Sequence, residues 1–333
     1  MTLRVGLSGA GPQGLRALDA MEHQRQCTLA AVHDAREDHA KRFADAGDLK
    51  FWTSDFKAML GYGVDFVVLA GPLAERLEQV QLAAEQGLPV LLHTPAAPDL
   101  PTMQAMTAIA AEHETRIGVY TRHHADPVIE QLRRMIAADW IGGVTTVQSI
   151  VGDDELLRTR STAEQVDPFI DLASAHVHLA TSLIGRRAQS VTAQATRAFL
   201  TDANDSGVAT VVLRGNVSCT FSATRLARAD AFAIHGTDGG VRMAGDRIWL
   251  RGHRPFRGHV FDYKTPGVEQ VLARRDIEST LAAHRTKCEL HGRFARWLED
   301  TDDYPVPGEQ AVVDFEILDA MTRAAALGVR VEL

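Results

Sequence analysis

Apolar positions in the first 120 residues follow two alternating rhythms. Short runs at Leu3–Ser8, Thr28–His33, Phe66–Ala70, Pro89–Leu92 and Ile117–Thr121 read as strands. Between them, Leu15–Glu22, Arg36–Ala46, Leu77–Glu85 and Met103–His113 carry the spacing of amphipathic helices. Phe66-Val67-Val68-Leu69-Ala70 is apolar at every position, which suits a strand covered on both faces. Such strand–helix repetition predicts a doubly wound parallel sheet with right-handed crossovers.

The rhythm changes in the second half. After helices near Val128–Ala137 and Phe169–Ile184, the pattern becomes β: Val144–Val151, Val191–Phe199, Val208–Arg214, Val217–Phe221, Phe232–His235 and Ile248–Arg251. Asn204-Asp205-Ser206-Gly207 and Thr237-Asp238-Gly239-Gly240 read as turns between them, so a large, open antiparallel sheet is expected. A last helix, about Gln310–Ala326, follows the breaker Pro305–Gly308. The expected organisation is α/β, with a first domain over 1–122 and an α+β domain over 123–333.

Composition narrows the class. The net charge of −8 and the lack of a basic run argue against a nucleic-acid partner. No apolar run approaches the roughly 18 residues that cross a bilayer, and Met1-Thr2-Leu3-Arg4 leads straight into a strand-like stretch. Cys27, Cys219 and Cys288 are scattered and odd in number, so no disulfide framework or cysteine-based zinc site is expected. A cytoplasmic protein is the expectation.

Between the first strand and the first helix lies Gly9-Ala10-Gly11-Pro12-Gln13-Gly14, a G-x-G-x-x-G loop. Gly9 permits the tight turn, Gly11 lets a pyrophosphate approach the backbone, and Gly14 lets the helix pack on the strand. Asp34 lies 20 residues past Gly14, at the end of the next strand, where its carboxylate would accept hydrogen bonds from ribose hydroxyls. A carboxylate there repels the 2′-phosphate of NADP and so favours NAD. Arg36 keeps NADP open, because a guanidinium can neutralise that phosphate.

These segments resemble the Gfo/Idh/MocA family of oxidoreductases. Val64–Pro72 is similar to its fourth strand and cofactor-side Pro, and Glu85–Val90 to its run into the fifth strand. Ile141-Gly142-Gly143-Val144 looks like its step into the second domain, and His235–Gly240 like its hairpin. The resemblance implies a Rossmann domain followed by an open sheet that forms a homodimer or homotetramer. It also implies hydride exchange between NAD and a sugar-like small molecule. Ala70, Pro72, His93, Thr94 and Arg122 are carried over as cofactor contacts.

Two departures bear on chemistry. The family's Glu-Lys-Pro after the fifth strand reads His93-Thr94-Pro95, and Thr94 can act neither as a cation nor as a base; His93 offers an imidazole instead. The family's helix signature D-x-x-x-H-x-x-D falls on Asp171, Ala175 and His178. The histidine becomes Ala175, yet His176 is one residue on, and a local bulge would restore it. His176 or His178, assisted by Asp171, is therefore the expected acid/base. A catalytically silent dinucleotide- or sugar-binding relative is the alternative. His123-His124 with Asp126 contains metal-ligand residue types, but adjacent strand residues point apart and no fourth ligand is indicated, so no metal is expected.

Overall fold

In a computed structural model, the described residues are 2–22, 25–121, 123–124, 126–154, 156–157, 166–200, 203–258, 262–277 and 290–333. Two compact units emerge: Met1–Thr121 with Glu289–Val313, and Arg122–Cys288 with Asp314–Leu333.

The first unit is built on six parallel strands: β1 (Leu3–Ser8), β2 (Cys27–His33), β3 (Trp52–Thr53), β4 (Phe66–Leu69), β5 (Val90–His93) and β6 (Ile117–Tyr120). Their order is β3-β2-β1-β4-β5-β6, so the winding reverses between β1 and β4, where open α/β sheets bind ligands at the carboxyl ends. Phe66, Val67, Val68 and Leu69 are completely buried, as their unbroken apolar run requires. Helices α1 (Pro12–Glu22), α2 (Glu37–Ala46), α3 (Phe56–Leu60), α4 (Leu73–Ala84) and α5 (Leu100–Glu112) connect the strands. α1 opens on Pro12, whose fixed φ suits a first helical position. α5 is capped by Asp99, which accepts from Thr102 N at 2.8 Å.

The second unit begins with α6 (Pro127–Ala137) and its main sheet uses nine of the next strands. The strands that follow α6 are β7 (Val144–Gly152), β8 (Ala188–Thr196), β9 (Ser206–Leu213), β10 (Val217–Thr224), β11 (Ala229–Gly236), β12 (Gly239–Ala244), β13 (Arg247–Gly252), β14 (Phe256–Arg257), β15 (Asp262–Tyr263), β16 (Gln270–Ala273) and β17 (Val331–Glu332). The sheet runs β16-β13-β12-β11-β7-β10-β9-β8-β17, and β14 and β15 form a separate ribbon. It is antiparallel except at one place: β7 and β10 pair in parallel, with Ser149 opposite Phe221. One face is buried and the other open. Along β10, Val217, Cys219, Phe221 and Ala223 are buried, and the residues between them are partly exposed. Gly239 and Gly240, expected as a turn, begin β12, because the β11–β12 hairpin is already paired at His235 and Gly240. α7 (Ser174–Ile184) follows a single π-helical turn at Phe169–Ala173.

Among the last described residues, α8 (Leu290–Leu298) rejoins the first unit. The sequence places all of 123–333 in the second domain; the structure returns Glu289–Val313 to the first. The cause is apolar and local: the Phe294 ring meets Phe66 at 5.2 Å. Val119 N also donates to Val306 O at 2.9 Å, which covers the edge of β6. α9 (Gly308–Leu327) spans the division. Among the described residues, no helix is long and apolar enough to cross a membrane.

Candidate functional site

The glycine loop is shaped by what surrounds it. Gly9 has a φ of +105°, and a Cβ there would lie 2.3 Å from Gly71 N, against the Ala70–Gly71 backbone. At Gly14 a Cβ would sit 2.1 Å from Gly9 O, so only glycine lets α1 start so close to β1. Gly11 differs: among the described residues, nothing beyond its two chain neighbours lies within 4 Å of its ideal Cβ. The loop is thus tight on its protein side and open at Gly11, the form a pyrophosphate cradle requires. Asp34 is tied to the same loop. Its Oδ2 accepts from Ala10 N at 2.9 Å and its Oδ1 from Arg36 N at 3.0 Å. The Arg36 guanidinium lies 3.6 Å from Oδ1 but is largely solvated. Pro12 starts α1, and Gln13 Nε2 donates to Thr94 O at 3.3 Å, joining the loop to the end of β5.

Beyond β5 the chain is held by a buried arginine. Arg76 donates through Nη1 to His93 O at 2.6 Å and to Pro95 O, and through Nη2 to Gly71 O at 3.0 Å. It therefore fastens the loops after β4 and β5, including Pro72, to one another. The Thr94 hydroxyl donates to Tyr120 O at 3.2 Å, a backbone tie. His93 stacks on Tyr120 at 4.4 Å, and Tyr120 on His291 at 4.7 Å. Burial, with the nearby His291 and Arg76, holds His93 well below the ordinary imidazole value. Burial lowers His291 to about 3. The titratable imidazole anticipated at position 93 is consequently a neutral one.

This stack makes stability depend on pH. In the unfolded chain both imidazoles gain a proton as pH falls through 6.5, whereas His291 stays neutral in the fold until about 3. Their contribution is complete above the unfolded value and is lost on acidification across that window, by about 1.4 kcal/mol per pH unit for each group. Urea unfolding followed from neutral to mildly acid pH should show this slope, and His291→Gln should flatten it. An unchanged slope in His291→Gln would contradict the assignment.

In the second unit a bulge, which the sequence left open, is present. The π-helical turn at Phe169–Ala173 directly precedes α7, and a turn of this kind inserts one residue into the helical register. The three expected catalytic residues nevertheless engage different partners. Asp171 pairs with Arg225 at 2.8 Å. His176, fully buried, meets Ser149 Oγ through Nδ1 at 2.5 Å and His123 Nε2 through Nε2 at 3.1 Å. His178 Nδ1 donates to Asp314 Oδ2 at 2.5 Å, both side chains being buried. Among the described residues its Nε2 has no hydrogen-bond partner.

The acid that orients His178 is thus Asp314, not Asp171, and sequence reasoning missed it. The signal was a lone carboxylate inside the apolar run Ala311-Val312-Val313-Asp314-Phe315, a costly residue to bury without a partner. The dismissed histidine pair is also revised. Asp126 caps α6 and pairs with Arg274, whereas His123 turns to His176 and to the neighbourhood of Asp230. Arg122 lies outside the described residues, as does Cys288. Cys27 and Cys219 are buried, and burial pushes the Cys219 thiol up to about 12.

A switch-point sheet with an open glycine loop, in a chain whose second unit holds a buried imidazole–carboxylate pair, defines the class of two-unit dinucleotide-binding proteins. Comparison with known proteins narrows this. Residues 3–121 match the model of the oxidoreductase family with an NAD-binding Rossmann fold, and residues 129–242 that of the GFO/IDH/MocA C-terminal domain. The chain belongs to the Gfo/Idh/MocA family of NAD-binding oxidoreductases. A myo-inositol dehydrogenase from Streptomyces leeuwenhoekii is 25% identical over 150 residues, 45% of each chain. An inositol 2-dehydrogenase from Saccharopolyspora erythraea is 31% identical over 144 residues, 42% of each chain. The chain therefore matches less than half the length of these two relatives. Among solved structures, the WlbA dehydrogenase from Bordetella pertussis, in complex with NADH and UDP-GlcNAcA, shares the fold with a TM-score of 0.84 at 21% identity. That alignment covers 100% of this chain and 98% of the other.

Proposed function

We propose that this protein transfers a hydride between NAD and a carbinol carbon of a sugar, cyclitol or related polyol. The observation that carries the reading is the glycine loop, open at Gly11 and bonded to Asp34, in a chain that also holds the His178–Asp314 pair. Gly9, Gly11, Pro12, Gln13 and Gly14 would take the pyrophosphate, and Asp34 the ribose hydroxyls. Ala70, Pro72, His93 and Thr94 would line the nicotinamide side. When bound, the nicotinamide supplies the hydride acceptor.

The chain's own task is then the proton. Thr94 has no group for it, and its hydroxyl is committed to Tyr120 O. His178 fits the role. With Nδ1–H donated to Asp314, the lone pair resides on Nε2, which accepts the substrate's hydroxyl proton on oxidation. Asp314 then offsets the charge of the imidazolium. His176 is the poorer acceptor, because Ser149 and His123 engage both of its ring nitrogens. Asp171, held by Arg225, is assigned to a substrate hydroxyl. The inositol dehydrogenases among the relatives support a polyol substrate. Assembly as a homodimer or homotetramer is assigned to the open sheet face, where Ile150 and Val208 are exposed, and the cytoplasm is the expected compartment. Thr94 and Ala175 favour a second reading, dinucleotide binding without turnover.

A thermal-shift titration with NAD⁺, NADH, NADP⁺ and NADPH tests the cofactor site. A ligand at about 100 times its dissociation constant should stabilise by about 2.7 kcal/mol. The expected result is a shift with NAD(H) that Asp34→Ala reduces, since the substitution removes the ribose acceptor and the tie to Ala10 N. A shift with none of the four on a folded sample overturns the reading. A shift without polyol oxidation selects the silent relative.

A further inference from the structure

We propose that His123, His176 and Asp230 form a binding site for a divalent transition-metal ion of the zinc type. The site goes beyond the hydride-transfer reading and does not depend on it. Its donor atoms are His123 Nε2, His176 Nε2 and an Asp230 carboxylate oxygen, all within 4.8 Å of one another. His176 Nε2 lies 3.1 Å from His123 Nε2 and 3.4 Å from Asp230 Oδ1. An ion with metal–nitrogen bonds of about 2.0–2.1 Å in tetrahedral geometry spaces its ligand atoms about 3.3–3.4 Å apart. The two separations from His176 Nε2, 3.1 and 3.4 Å, are close to that value.

The surroundings are those of a ligand set. Two imidazole Nε2 atoms face each other inside the protein, and without an ion one must carry a hydrogen and donate to the other's lone pair. An ion uses both lone pairs, with each ring then protonated at Nδ1. For His176 that tautomer donates Nδ1–H to Ser149 Oγ, an outer bond of the kind that orients metal-ligating histidines. Ser149 is itself buried on β7, directly opposite Phe232 of β11, so the support comes from a paired sheet. The three ligands rise from separate places: the segment before α6, α7 and β11. Asp230 is 53% exposed, which gives the ion a path from solvent. Two imidazoles and one carboxylate suit Zn²⁺, Co²⁺ or Fe²⁺ better than Mg²⁺ or Ca²⁺. They leave a fourth position for water or one oxygen of a small ligand.

Titration of the chelator-treated full chain with Co²⁺ tests this, read by the visible bands of a low-coordinate cobalt ion and by metal retained after desalting. One equivalent per chain is expected. His123→Ala and His176→Ala should abolish the bands, and Ser149→Ala, which leaves all ligands in place, should weaken binding by about 10–100-fold. Asp230→Asn guards against loss of fold, because its side chain is half in solvent; it should melt like the parent in chelator and bind Co²⁺ more weakly. No saturable uptake by the parent, or undiminished binding by Asp230→Asn, overturns the site.

Discussion

Gly11→Ala is expected to remove dinucleotide binding and leave the protein folded. Among the described residues, no atom beyond the two chain neighbours lies within 4 Å of a Cβ at this position, and the backbone there does not have a positive φ. The folded state therefore accepts alanine, and the change in stability should stay within about 0.5 kcal/mol. The methyl group stands where the pyrophosphate must approach the loop's N–H groups, so a loss of affinity of at least about tenfold is expected, or about 1.4 kcal/mol. Gly9→Ala supplies the contrast. There the φ of +105° and the 2.3 Å approach to Gly71 N strain the fold itself. A loss of about 2–4 kcal/mol should follow. Melting curves with and without NADH separate the two effects. If Gly11→Ala still shifts with NADH as the parent does, the cradle lies elsewhere.

His178→Gln should lower kcat by about 10²–10⁴-fold on any polyol the protein oxidises, with little change in KM. The glutamine occupies similar volume but cannot take up the hydroxyl proton. Asp314→Asn tests the positioning role separately. Its amide can hold the ring through the opposite tautomer, with the hydrogen on Nε2, which removes the acceptor without removing the imidazole. A fall in kcat with KM preserved is the result expected of orientation; a merely structural role would lower stability and leave kcat of the folded fraction intact. Asp314→Ala is expected to cost about 1–3 kcal/mol as well, because it strands a buried N–H donor. If His178→Gln turns over within a few-fold of the parent, the proton acceptor has been misassigned.

Much of the first unit could be read directly from the chain. The strand Leu3–Ser8 and the fully apolar Phe66–Leu69 lie where their hydrophobic runs place them. The glycine loop and Asp34 meet, as their spacing implied, because β1 and β2 are adjacent parallel strands and their ends coincide. β3 was not anticipated, since Trp52–Thr53 is too short to show a periodicity. The helix signature was legible in kind but not in register: a π-helical turn depends on the packing of Phe169 under Gly207, which no local pattern announces.

The sequence by itself determined the parallel sheet, the dinucleotide loop and the presence of histidines on one helix, because these rest on interactions between residues close in the chain or on period alone. Tertiary structure decided which partners the histidines have. Asp314 reaches His178 across 136 positions, and His123 reaches His176 across 53. The buried carboxylate and the facing imidazoles must find hydrogen-bond partners or a ligand once water is excluded, and which ones they find is set by how distant elements pack. Local periodicity carries no record of that choice.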